Sequence, residues 1–154
     1  MLERNKVLTY ITRGSRLLVF THPDSPEAGI QVPGGSVEKD EKIEDAALRE
    51  AIEETGLAGL RLSNFLGEID RDMSDIGLNE IHHRHFFHVW CDHETPTTWR
   101  HYEFTASDRP AGHPPIPFDF YWVDLTDDLP TLIADMGAYI PELIALLDSL
   151  NGNV

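Results

Sequence analysis

Residues 34–57 read GGSVEKDEKIEDAALREAIEETGL. Eight carboxylates (Glu38, Asp40, Glu41, Glu44, Asp45, Glu50, Glu53 and Glu54) share this stretch with one arginine, Arg49. The pattern is a Pro-Gly-Gly turn followed by an amphipathic helix over about residues 42–55, with Gly56 where a left-handed cap belongs. At ~100° per residue, Ile43, Ala47, Leu48, Ala51, Ile52 and Thr55 fall on one broad arc, the expected core face. Glu50, Glu53 and Glu54 fall on another, their spacings of three and four bringing the carboxylates to one side. Like charges so spaced weaken an isolated helix by a few tenths of a kcal/mol per pair, so a cation is expected there. Hard oxygen donors suit Mg²⁺, which keeps several waters and is completed by substrate phosphates. Arg49 is spaced to hold Glu53 or to bridge to Glu41. Gly34 and Gly35 permit close backbone approach, which makes a free carbonyl there a further candidate ligand.

On the N-terminal side, residues 7–12 and 16–20 read as strands joined by a tight turn at Arg13-Gly14. Three prolines and three glycines then mark residues 22–35 as a loop. On the C-terminal side, residues 60–72, 81–91 and 118–125 read as strands, and residues 92–117 as mostly loop. A short helix over 127–136, capped by Thr126 and ended by Gly137, and a last helix from about Pro141 complete the reading. With no repeat and no linker, the expectation is one α/β domain spanning residues 1–154.

Bulk properties narrow the function. The length of 154 residues suits one domain, and 41% hydrophobic residues allow a real core. A net charge of −15 argues against a nucleic-acid binder with a broad basic face and against an anionic membrane surface. A small anionic ligand is still compatible if metal ions or local cations reverse the field at the site. The lone Cys91 allows no internal disulfide. No apolar h-region or spanning run is evident, so a cytoplasmic protein is expected.

The 35–57 segment resembles the signature of the Nudix hydrolase family: Gly, five residues, Glu, seven residues, Arg-Glu, an aliphatic residue, any residue, Glu-Glu, any residue, Gly and an aliphatic residue. Gly35, Glu41, Arg49, Glu50, Ile52, Glu53, Glu54, Gly56 and Leu57 fill these positions, and Ala51 is smaller than the usual aliphatic. The resemblance implies an α/β/α sandwich around a mixed sheet. It also implies hydrolysis, with Mg²⁺ or Mn²⁺, of a nucleoside diphosphate linked to another moiety. Carried over by position, Glu50 and Glu54 are the metal ligands and Glu53 is a third ligand or the general base. The Gly34 carbonyl is a further ligand, and Arg49 and Glu41 are the pair that orients the glutamates. Some members take a carboxylate from downstream, which makes Asp119 a candidate. Homodimers are common in the family, so that assembly is left open.

Outside the signature, alternation in "HHRHFFH" (82–88) puts His83 and His85 on one strand face and His82, Arg84 and His88 on the other. Substrate or phosphate contact by Arg84, His83 and His85 is weighed against a wet strand face and, less favourably, a transition-metal site. Trp90, Trp99, Tyr102 and Phe104 are read as core or as base-stacking groups. The alternative to a hydrolase is a non-catalytic nucleotide or ADP-ribose sensor on the same scaffold, though such sensors tend to lose signature glutamates. A diphosphate isomerase needs a Cys and Glu beyond the signature, and Cys91 has no evident acidic partner.

Overall fold

The computed structural model describes residues 1–103, 114–127 and 129–150. Its central strand is β1 (Leu2–Arg13), whose alternation sends Leu8 and Tyr10 to one face and Val7, Thr9 and Ile11 to the other. Around it stand β2 (Arg16–Thr21), β3 (Gly34–Ser36), β4 (Leu60–Asp72), β5 (Glu80–Cys91), β6 (Thr98–Glu103) and β7 (Ile116–Asp124). The sheet order is β4-β5-β1-β2-β7-β6, with β3 added to β1. Strand β1 is parallel to β5, and the other pairings are antiparallel, so the sheet is mixed.

Helix α1 (Ile43–Thr55) packs Ala46 and Ala47 against Val7 and Phe87. Helix α2 (Ile140–Leu150) packs Ile140, Leu143 and Leu147 against Leu8, Tyr10 and Phe86. Neighbouring strand residues point to opposite faces, so the two helices cover opposite sides of the sheet: an α/β/α sandwich. Among the described residues no helix is long and apolar enough to cross a membrane.

One feature of the sheet creates the site. Strands β2 and β3 share an edge of β1, β2 pairing at Thr12 and Arg13 and β3 at Lys6, Val7 and Leu8. Thr9 N–H donates to the Pro33 carbonyl at the fork, 2.8 Å away. Because β2 leaves with β7 while β3 leads into α1, the sheet splits and a cavity of about 610 Å³ opens between the branches.

The structure corrects three expectations. First, residues 98–103 form β6 rather than loop. Trp99 and His101 on this strand donate to the Thr55 and Glu53 carbonyls at 3.0 and 2.9 Å, satisfying the C-terminal end of α1. Secondly, the described residues between 127 and 136 form no α-helix, since Pro130 removes an amide and disfavours helical backbone at Leu129. Thr126 donates both its amide and its hydroxyl to Asp124 Oδ1, and only a 3₁₀ turn, Ile133–Asp135, follows. Thirdly, the core face of α1 is rotated from the expected arc. Ala46, Ala47, Ala51 and Thr55 are buried together with Glu50 and Glu54, whereas Ile52 is exposed. Small side chains let the helix backbone lie close to the sheet, and that proximity carries two glutamates inward.

Candidate active site

Arg49 is the hub of the site. Its Nε and Nη2 donate to both oxygens of Glu41, at 2.7 and 2.9 Å. Its Nη1 reaches Glu50 at 2.9 Å and Glu53 at 3.2 Å, and Nη2 also donates to the Ser36 carbonyl at 3.1 Å. The planar guanidinium, with its fixed fork of donors, can satisfy several carboxylates at once, which an ammonium point charge cannot. Both arrangements open to Arg49 in the sequence are therefore realised together. The Arg49 fork holds the Glu41 carboxyl down to about 2, far below its ordinary range.

Glu50 and Glu54, one helical turn apart, are only 8% and 6% exposed and line the cavity beside Gly34, Gly35 and Ser36. Burial raises the pKa of Glu50, against the opposing pull of Arg49. Burial raises Glu54 well above its ordinary value, with the charges of Glu103 and Glu50 adding to it and the Gly34 amide opposing. Gly34 N–H points at Glu54 Oε1 over 3.4 Å. Two buried carboxylates whose charges repel, facing a cavity, form a hard-oxygen donor set suited to a divalent cation. Among the described residues no cluster of three or more His, Cys, Asp or Glu is already gathered around one point. The fit to a cation rests on donor chemistry and burial.

Gly35 shows why this turn needs glycine. A Cβ there would lie 2.2 Å from Glu50 Cδ. Gly35→Ala is expected to push the Glu50 carboxylate off Arg49, lowering kcat by about tenfold or more while far-UV circular dichroism stays native. An unchanged kcat would mean that the position of Glu50 is immaterial. Gly56, at φ +73° with its amide bonded to the Ile52 carbonyl, is the left-handed cap expected from the sequence.

The remaining candidates are dispersed. The Glu53 side chain is half exposed, at 50%, and does not line the cavity. Arg84 lines the cavity. His83 and His85 do not: strand alternation turns them to the other sheet face. There His83 lies 2.6 Å from Asp70 and 2.9 Å from Glu3, and His85 lies 3.1 Å from Glu68. Asp119 is likewise outside the cavity, bridged to Arg100 at 2.7 Å on the neighbouring strand.

Sequence reasoning passed over Lys6, His82 and Glu103, which line the cavity. Glu103 was hidden because its strand sits in a proline-rich stretch. The aromatic groups at the cavity are Phe20, His22 and Phe118, with ring centroids 4.7–5.5 Å apart. Trp99 stacks on Phe120 and Trp90 meets His88 edge-on, so both pack within the fold, while Tyr102 is exposed and Phe104 lies outside the described residues.

Residues 2–141 match the family model described as NUDIX domain. No curated protein matches the sequence. Among solved structures the chain is similar to a MutT NUDIX hydrolase from Burkholderia pseudomallei (22% identity, TM-score 0.61, 93% of this chain and 99% of that one). It is also similar to a NUDIX-family hydrolase from Clostridium perfringens (19%, 0.61, 96% and 97%). A third similar structure is an ADP-ribose pyrophosphatase from Streptococcus suis (16%, 0.55, 98% and 94%). At these identities the likeness is one of fold.

Proposed function

The chain belongs to the Nudix family of hydrolases acting on phosphorus-containing anhydrides, and from that premise we propose that it cleaves the diphosphate of a nucleoside diphosphate linked to another moiety. The observation that carries this reading is the pair Glu50 and Glu54, buried at the wall of a cavity of about 610 Å³ that also holds Lys6 and Arg84. Glu50 and Glu54, with the Gly34 carbonyl, are the proposed oxygen ligands for Mg²⁺ or Mn²⁺. Such an ion would neutralise charge developing on the phosphoryl oxygens and lower the pKa of the attacking water. The protein's own work is then positioning. Arg49 locks the carboxylates in one geometry, Lys6 attracts the diphosphate, and Phe20, His22 and Phe118 offer ring faces and edges to a nucleobase.

Glu53 is assigned as general base: it borders solvent, from which the nucleophilic water comes, and Arg49 fixes its orientation. Glu103 is the competing base, because it lines the same cavity and its charge acts on Glu54. Glu53→Gln and Glu103→Gln separate the two, the true base giving the larger fall in kcat at an unchanged metal requirement.

The direct test is release of nucleotide or phosphate from a panel of nucleoside diphosphate compounds with and without Mg²⁺ or Mn²⁺. Metal-dependent turnover is the expected result. Compounds that raise the melting temperature yet are never cleaved would indicate a sensor.

A further inference from the structure

The cavity has a second charged end. Arg84 on β5 is 3% exposed, in a chain of net charge −15. Its Nη1 donates to the Ala134 carbonyl and its Nη2 lies 4.0 Å from Met73 Sδ. The two acids whose charges act on it, Asp135 and Asp75, are both held by Arg71, at 2.9 and 2.8 Å. No carboxylate among the described residues forms an ion pair with Arg84, although its side chain faces the cavity. A buried guanidinium without a counter-charge is unfavourable. Burial, more than the neighbouring charge of Arg71, pulls its pKa down to about 10.

Strand register fixes where this cation stands. Ser36, Lys6 and Arg84 occupy one rung across β3, β1 and β5. The rung begins at Ser36, the residue after the Gly35 that abuts Glu50, and ends two strand spacings away, roughly 10 Å along the sheet. The wall around Arg84 is built to stay in place. Ala134 and Asp135 are consecutive non-glycine residues at φ +53° and +58°, a conformation that persists only where surrounding contacts impose it. Arg84 holds the Ala134 carbonyl, Arg71 holds Asp135, and Tyr10 Oη donates to the Met136 carbonyl at 2.6 Å.

We infer that Arg84 receives a second anionic group of the substrate, a phosphate or carboxylate on the moiety beyond the scissile diphosphate. The inference rests on the proposed hydrolase reading for the word substrate, but not for the binding site. Diphosphates are engaged at the glutamate end, and the distant cation selects those whose leaving moiety carries its own charge.

Two measurements test it. In the first, metal-free protein is melted with inorganic phosphate. Phosphate is expected to raise the melting temperature of the native chain and of Glu54→Gln, less for Arg84→Lys, and not for Arg84→Gln. Equal shifts in the native chain and Arg84→Gln would overturn the proposal. In the second, metal-loaded enzyme is given matched nucleoside diphosphate compounds of a hexose, a hexuronate and a hexose phosphate. The kcat/KM ratio of charged to neutral compound is expected to be about 10–100 in the native enzyme, the range of a charge-assisted contact. It should fall toward one in Arg84→Gln and partly recover in Arg84→Lys. The hexuronate and hexose phosphate arms decide between carboxylate and phosphate. A native ratio near one, or one that Arg84→Lys and Arg84→Gln leave unmoved, would sink the idea. Phosphate binding that depends on Arg84 with no hydrolysis of any compound would instead remove the hydrolase reading and leave the anion site standing.

Discussion

Glu54→Gln is expected to lower kcat by about 10²–10³-fold, the scale of losing one charged group that stabilises a transition state, and yet to raise the melting temperature of the metal-free protein. The second effect follows from burial. Glu54 is raised well above its ordinary value of 4.5, first by desolvation and then by Glu103 and Glu50. For a carboxyl raised on folding, stability is fully present below the unfolded pKa and is lost as pH rises through the folded pKa. Native metal-free protein should thus weaken as pH climbs from about 4 toward neutrality. Glu54→Gln, an isostere that cannot ionise, should escape much of that loss, and the two melting curves should converge in acid. Mg²⁺ should reverse the order, since binding at 100 times Kd adds about 2.7 kcal/mol to the native chain and much less to the variant. Melts between about pH 4 and 8, with chelator or with Mg²⁺, read all of this directly. A variant that unfolds at every pH would make Glu54 a structural residue, and equal Mg²⁺ shifts would put the metal elsewhere.

Arg49→Ala is the opposite kind of change, harming fold and rate together. It leaves Glu41, Glu50 and Glu53 without the cation that all three share. Removing one partner of a buried ionic network costs about 3–5 kcal/mol. The Arg49 side chain is 24% exposed, so after allowing for solvent screening roughly 2–4 kcal/mol is expected. That corresponds to about 5–15 °C in melting temperature for a chain of this size. The pH dependence has the reverse sign to that of Glu54. Glu41 is lowered to about 2, so its contribution is present above the unfolded value of 4.5 and disappears as pH falls through about 2. The penalty of Arg49→Ala should therefore be largest near neutrality and shrink in acid. Arg49→Lys keeps the charge but loses the fork, and should fall between the two in both stability and kcat. A native melting temperature in Arg49→Ala would show that the network contributes nothing to folding.

The sequence by itself determined the elements whose signals are local. Thirteen-residue α1 and its left-handed Gly56 cap follow from periodicity and glycine chemistry. The span of β5 follows from its β-branched and aromatic residues, and β4 occupies the residues read as a strand, 60–72. The spacing of Arg49, Glu50, Glu53 and Glu54 marked the candidate site, because acid at such spacing on one helix calls for a cation. Alternation along β5 also separated His83 and His85 from His82 and Arg84.

Only the tertiary structure decided which side of β5 meets the cavity, since alternation separates two faces without naming the inner one. It also decided that α1 buries glutamates in place of Ile52, because the helix is rotated by how closely its alanines approach β1. Strand β6, with Glu103, was illegible because its pairing with β7 spans sequence-distant residues, Thr98 opposite Tyr121. The cavity itself exists because β2 and β3 divide one edge of β1 between them, and the choice of strand partners is a property of the whole packed chain that no local run of residues encodes.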